Sequence, residues 1–201
     1  MSIWSSRSFS ACRGTSMADI VYSLSPTSSA SNTAKTLEFY REMTRGLDMQ
    51  AGRVRVGMVP KDCGGDLSKL SYSSRNSKQN ILNQLDAFLA SQTTVADVIN
   101  YMRCESFSRG RGARRGARRM GVLVVDEGDD LGKSMHEARR ARDLAGIELF
   151  VIGVGRRLSY NRLCHLASSP PSKHVFIVHS YNDLPHILTR VRESVCPPPY
   201  P

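Results

Sequence analysis

The chain has 201 residues, 40% of them hydrophobic, which suits one domain with a full core and short tails. No apolar run approaches the ~20 residues that a membrane-spanning helix needs, and five cysteines are too few for a disulfide scaffold. The formal net charge is +10, but much of it sits in one run, Arg109, Arg111, Arg114, Arg115, Arg118 and Arg119, interleaved with Gly and Ala, which argues for a local anionic contact and against a general nucleic-acid binder.

Taken in order, residues 1–17 are rich in Ser, Arg and Gly and have no period, so a loosely attached or disordered tail is expected there. They lack the apolar core of a secretory signal. That leaves two readings open, a cytosolic protein or a piece of a longer precursor. Asp19 to Leu24 is a first strand, followed by a loop of Ser, Thr, Pro and Asn in which Ser31, Asn32 or Thr33 can cap the next helix. That helix is expected over 34–46, with Leu37, Phe39/Tyr40, Met43 and Leu47 inward. Arg53 to Val59 alternates and then turns apolar, as a strand does. Asp66 to Tyr72 is a weaker strand, expected at the sheet edge, and Ser77 to Asn80 opens a helix. A further helix runs from about Val95 to Arg103.

The arginine run then leads into Gly121-Val122-Leu123-Val124-Val125-Asp126-Glu127-Gly128. A short apolar run cut off by acid, acid and glycine reads as a strand buried on both faces. Leu131, Met135, Ala138, Ala141 and Leu144/Ala145 recur at helical spacing, and Gly146 stands where a helix-ending glycine is expected. Glu148 to Gly153 is the next buried strand, so the three elements form a right-handed βαβ unit. Tyr160 to Ala167 is a short helix and Val175 to Val178 another buried strand. The last helix, Tyr181 to Val195, carries Leu184, Ile187, Leu188, Val191 and Val195 inward. Pro197 to Pro201 cannot continue it. The pattern predicts a doubly wound α/β fold: a mostly parallel six-stranded sheet with one antiparallel edge strand and helices on both faces. In such sheets ligands bind at the carboxyl ends of the strands, which makes Asp126 and Glu127 the place to seek function.

Five segments in this order, Asp19-Ile20-Val21-Tyr22 with its Ser/Thr loop, Arg53 to Val59, Val122 to Gly128, Gly146 to Gly155 and His174 to Val178, resemble the von Willebrand factor type A domain. The resemblance covers about Asp19 to Val195, giving a domain over 18–196 with a tail at 1–17 and a proline-rich tail at 197–201. The flanking cysteines are similar to those of A domains in collagen type VI chains and in matrilins. What the resemblance implies is a non-catalytic adhesion and protein-binding module of a collagen VI-like extracellular matrix protein, secreted, with matrix proteins as partners. It also implies a bond between Cys12 and Cys196, because both ends of such a domain leave on the side away from the ligand loops. Closing so long a loop is worth ~4–5 kcal/mol in entropic models.

That family often holds one divalent metal through Asp-x-Ser-x-Ser after the first strand, a Thr before the third helix and an Asp before Gly after the central strand. Here the positions fall on Ser25, Thr27 and Ser29, on Val95 and on Glu127. Thr27, Ser29 and Glu127 retain oxygens, whereas Ser25 and Val95 replace expected ligands. Magnesium demands tight octahedral oxygen geometry. Losing one carboxylate, gaining a valine and lengthening the other acid by a methylene argue for a degenerate, unoccupied site and no cofactor. Asp126, where the family has an uncharged residue, offers a substitute carboxylate. The plain alternative is that Ser25, Thr27 and Ser29 only form turns and cap the first helix.

The six arginines have two readings. Guanidinium groups clustered on a flexible Gly/Ala loop suit heparin-like glycosaminoglycan or phosphate through bidentate contacts; the other reading is a solvated insert with no partner. No aromatic residue interleaves the run, which argues against stacking on single-stranded nucleic acid. The rival for the whole chain is an intracellular basic A-type domain binding RNA or a nuclear complex. Gly153-Val154-Gly155 lacks the third glycine of a dinucleotide loop and reads as a tight strand exit. The five histidines show no paired metal spacing, and no Ser, His and acid fall together in a nucleophile elbow, so an enzyme is not expected. Pro197-Pro198-Pro199-Tyr200 matches a short proline ligand, but a linker is the simpler reading.

Overall fold

A computed structural model describes residues 17–47, 49, 52–60, 63 and 93–196. Its organising element is β3 (Arg118–Asp126), the middle strand of a five-stranded sheet of order β2-β1-β3-β4-β5. The others are β1 (Ala18–Ser23), β2 (Val54–Met58), β4 (Ile147–Val154) and β5 (Val175–Val178). Every pairing is parallel. The doubly wound α/β class is as expected. The sheet of the described residues, however, has five strands rather than six and no antiparallel member; the expected edge strand at 66–72 and the helix from Ser77 lie outside the described residues.

β3 is buried on both sides because its alternate residues enter two different cores. Met120, Val122 and Val124 pack with Phe150, Ile152 and Tyr22 under α1 (Ala30–Arg45) and the last helix, α5 (Leu184–Val195). Leu123 and Val125 pack with Leu149 and Val151 under α2 (Val95–Tyr101), α3 (Ser134–Asp143) and α4 (Tyr160–Leu166). Gly121 keeps the backbone close to α2: a Cβ there would stand 2.9 Å from Met102 Sδ and from a methyl of Leu149.

The helices differ from the sequence expectations in phase and at their ends. α1 begins at Ala30, four residues early, because Ser29 is its cap and accepts the Asn32 N–H. Its buried face is Thr36, Phe39, Tyr40 and Met43, and Leu37, expected inward, is 43% exposed. Thr36 tolerates burial by donating to the Asn32 carbonyl. α2 passes at Met102 into a wider π turn that ends at Ser106. α3 begins at Ser134, and Leu144, beyond its end, is 77% exposed. All five residues expected inward on the last helix are buried.

Tyr40 ties α1 to the sheet. Its hydroxyl donates to the carbonyls of Ser23 and Val122, and its ring lies flat on Tyr22 with centroids 4.3 Å apart. Burial pushes the Tyr22 hydroxyl up to about 12 and that of Tyr40 up as well. The carboxyl end of β1 is thereby fixed just where its loop enters the site.

Candidate functional site

With all strands parallel, their carboxyl ends share one rim. The chain goes from β1 to β2 on one side and returns to β3 on the other, so the crevice between β1 and β3 is the switch point where ligands bind in open α/β sheets. The loop after β1 brings Ser25, Thr27 and Ser29 to this rim, and the loop after β3 brings Asp126, Glu127, Gly128 and Asp129.

The two loops are stitched together by side chains. The Thr27 hydroxyl lies 2.7 Å from Asp126 Oδ1 and 2.9 Å from Asp129 Oδ1, so one hydroxyl hydrogen serves two carboxylates. The Thr27 N–H also donates to Asp129 Oδ1, at 3.3 Å. Asp126 is further held by the Gly128 N–H at 3.0 Å and by the Tyr181 hydroxyl at 2.7 Å. Asp129 accepts the Asp126 N–H. Ser25 is buried with its Oγ 3.4 Å from that of Thr27.

Electrostatics follow from this crowding. Burial, and then the Asp126 charge, push the Asp129 carboxyl up, against the hydrogen bonds it accepts. The Tyr181 hydroxyl is pushed up by burial and by its bond to Asp126, because losing its proton would set two negative charges together. Beside the network lies a trough of about 490 Å³ lined by Lys35, Glu127, Gly155 and His179 among others.

The metal ligand set implied by the resemblance does not fit this rim. Thr27 presents an oxygen, but that oxygen is already bonded to two acids of its own chain. Ser29 is the α1 cap and accepts the Asn32 N–H. Glu127 turns away: its Oε1 accepts the Arg157 N–H at 2.5 Å, and its Cγ lies where a Cβ on Gly155 would stand, 2.3 Å away. Gly155 also has φ +142°, so glycine is required there twice over. Val95 is 2% exposed in the core and offers no oxygen. Its neighbour Thr94 caps α2 in a closed box with Asp97. Asp126 does point inward, but toward Thr27 and Tyr181. Among the described residues no three His, Cys, Asp or Glu side chains gather as a metal group. Asp129 and Tyr181 are rim residues outside the expected ligand set; the sequence expectation places Asp129 only within the surface loop 126–130 and Tyr181 only in the last helix.

The amino ends of the strands form the opposite end of the sheet, and the arginine run lies there. It holds a short helical turn and the start of β3, and several of its side chains bond to the rest of the domain. Arg114 is 13% exposed at its side chain and pairs with Asp19, 8% exposed, through Nε and the backbone N–H, each at 2.8 Å. Its remaining nitrogens donate to the carbonyls of Ala18, Gly52 and Arg53. Arg118 donates to Glu148 at 2.6 Å and Arg119 to the Ala145 carbonyl at 3.1 Å. Three of the six candidates are therefore committed inside the domain, while Arg109, Arg111 and Arg115 are exposed. Glu148 also faces His174 Nε2 at 2.9 Å, and His174 Nδ1 faces the Pro170 carbonyl at 2.8 Å. Burial opposes the Glu148 charge, but the bonds from His174 and Arg118 outweigh it and hold the carboxyl below its usual range.

The family model of the von Willebrand factor type A domain matches residues 20–190. Matrilin-1 of Gallus gallus is 28% identical over 166 residues, covering 81% of this chain and 33% of the relative. The collagen alpha-1(XII) chain of Notophthalmus viridescens is 23% identical over 164 residues, covering 79% of this chain and 17% of the relative. The chain thus spans only a third or less of these extracellular matrix proteins. Among solved structures, proximal thread matrix protein 1 of the mussel byssus superposes with a TM-score of 0.67 at 18% identity, over 90% of this chain and 48% of that one. A further structure of that protein has a zinc-occupied MIDAS motif. With 171 residues matched, from 20 to 190, and a parallel sheet of the same class, this chain belongs to the von Willebrand factor type A domain family.

Proposed function

We propose that this domain is a non-catalytic adhesion module of a secreted extracellular matrix protein of the matrilin and collagen kind, a collagen VI-like chain among them, and that it binds matrix proteins without a divalent cation. The observation that carries the second part is the Thr27 hydroxyl closed between Asp126 and Asp129, with Glu127 turned to Arg157. The rim is a finished hydrogen-bonded surface in which protein dipoles and carboxylates satisfy one another. The kinship with matrilins and collagen XII supports the matrix setting.

The test is binding of the purified chain to immobilised matrix protein in magnesium and in EDTA, with calorimetric titration of magnesium alongside. Equal affinity in both buffers and no binding heat are expected. Stoichiometric, tight magnesium uptake would overturn the cation-independent reading. The same setting implies the Cys12–Cys196 bond. Cys196 is disulfide-bonded and buried against the core of the α1/α5 face, whereas Cys104 and Cys164 are free thiols. Cys12 lies outside the described residues. A non-reduced digest should contain a peptide joining the two.

A further inference from the structure

The geometry points to a polyanion site at the amino end of the sheet, formed by Arg53, Arg55, Arg109, Arg111 and Arg115 and suited to a sulfated polysaccharide. It is distinct from the rim, so its failure leaves the matrix-adhesion reading standing.

The arginines of this end divide into two groups. Arg114, Arg118 and Arg119, the natural choices from the sequence, have their donors turned inward. What they do is hold the platform. Arg114 binds the start of β1 through Asp19 and Ala18 and the approach to β2 through Gly52 and Arg53. From the other side, Arg55 on β2 donates one guanidinium nitrogen to the Gly112 carbonyl at 2.9 Å. The segment 108–113 closes on itself through backbone bonds from Ala113 to Ser108 and from Gly112 to Arg109.

These links bring two residues outside the run, Arg53 and Arg55, beside Arg109, Arg111 and Arg115. All five are exposed. The acid nearest to them in an ion pair is Glu105, 3.9 Å from Arg111, with both side chains more than half exposed. Such a pair is screened and easily displaced. Asp19 and Glu148, also at this end, are already paired with Arg114 and with Arg118. The result is a dense cationic surface on a backbone fixed at several points, so less ordering is needed when a ligand binds.

The chemistry favours sulfate esters. Each guanidinium presents a planar fork that matches two oxygens of a sulfate or carboxylate. Phe107, the aromatic residue that precedes the segment, is buried at 5% exposure and residues 108–119 contain no other aromatic, so among the described residues of this segment no stacking platform for bases accompanies the cations.

The experiment uses the full chain and heparin. Retention on a heparin column and affinity at about 0.15 M NaCl are compared for the wild type, for a variant with Arg53, Arg109, Arg111 and Arg115 changed to Ala, and for a control with Arg139, Arg156, Arg162 and Arg190 changed to Ala. Both variants lose the same formal charge at exposed positions. The basal variant should lose about tenfold or more in affinity and show a shallower salt dependence, since fewer counterions are released. The control should keep affinity within about twofold, in line with screening of charges beyond a Debye length. Equal losses in both variants would mean binding by overall charge and would overturn the site, as would no retention of the wild type. Tighter binding of single-stranded poly(U) RNA than of heparin would overturn the ligand class. Circular dichroism confirms that both variants are folded.

Discussion

The two ends of the sheet handle charge in opposite ways. At the rim, Asp126 and Asp129 lie beside each other and share the Thr27 hydroxyl, and among the described residues no arginine side chain bonds to either. Burial and the neighbouring acid raise Asp129. At the amino end the buried and half-buried acids face basic side chains, Asp19 against Arg114 and Glu148 against Arg118 with His174 bonded to it, and Glu148 is lowered. The difference shows that a dense group of like charges need not be a ligand site. It becomes one only for those members whose donors or acceptors remain unused by the fold.

The comparison is tested most severely at Arg114. Its replacement by Ala would leave Asp19 charged and enclosed, and loss of one partner of a buried pair costs about 3–5 kcal/mol. The urea midpoint should fall accordingly, and Arg114→Lys should recover little, because one ammonium cannot reach Asp19 and three carbonyls together. A loss within about 0.5 kcal/mol would mean that the amino end is not held by this side chain.

Next in size is the rim network. Tyr181→Phe removes one donor from the Asp126 carboxylate and should cost about 1–3 kcal/mol, read again by urea unfolding. The same loss in magnesium and in EDTA is expected, since the interaction is internal to the protein. A loss that appears only in EDTA would show that a cation takes part.

The two ends also differ in the sign of their pH dependence. The folded carboxyl of Glu148 is lowered, so its stabilisation is present above the unfolded value of 4.5 and is lost as pH falls through the folded one. Asp129 is raised, so the fold is favoured below its unfolded value of 3.8 and loses that contribution as pH rises through the folded value. Glu148→Gln should therefore flatten the acid limb of a stability profile, whereas Asp129→Asn should reduce the stability lost on going from acid to neutral pH. Identical profiles for both variants would remove the distinction.

The smallest effect belongs to the exposed arginines. Changing Arg109, Arg111 and Arg115 to Ala should leave the thermal midpoint nearly unchanged, as substitutions away from buried pairs usually do. A clear drop would place these side chains in the platform with Arg114.

Much of the fold was legible because burial follows period. β3 and the last helix carry uninterrupted apolar spacing, and their inward residues are those expected, whereas Ile177 of β5, expected buried, is 39% exposed on the outermost strand of the described sheet. Leu37 was misplaced because α1 starts at the Ser29 cap and its face is set by Phe39, Tyr40 and Met43. Leu144 lies past the end of α3, where helical spacing no longer applies. In the site, the substitutions at Ser25 and Val95 could be read from residue types alone. The inward turn of Asp126 could also have been found: it continues the alternation of Val122 and Val124 and so faces the α1/α5 side, where Tyr181 precedes the last helix. Glu127, of opposite parity, is carried past the strand end toward Arg157. The partition of the arginines had no such signal, since Arg114 and Asp19 are 95 positions apart and meet only when the loop folds back.

The packing of Cys196 in one cluster with Ala18 has a mechanical consequence. Tension applied through the two flanks would enter at one end of the domain, where β1 begins and α5 ends beside the close of α1, rather than at opposite ends of the strands. Such a geometry peels a few interactions at a time and resists weakly. The proposed link between Cys12 and Cys196 would short-circuit that load and leave the rim unstrained while the flanks are stretched.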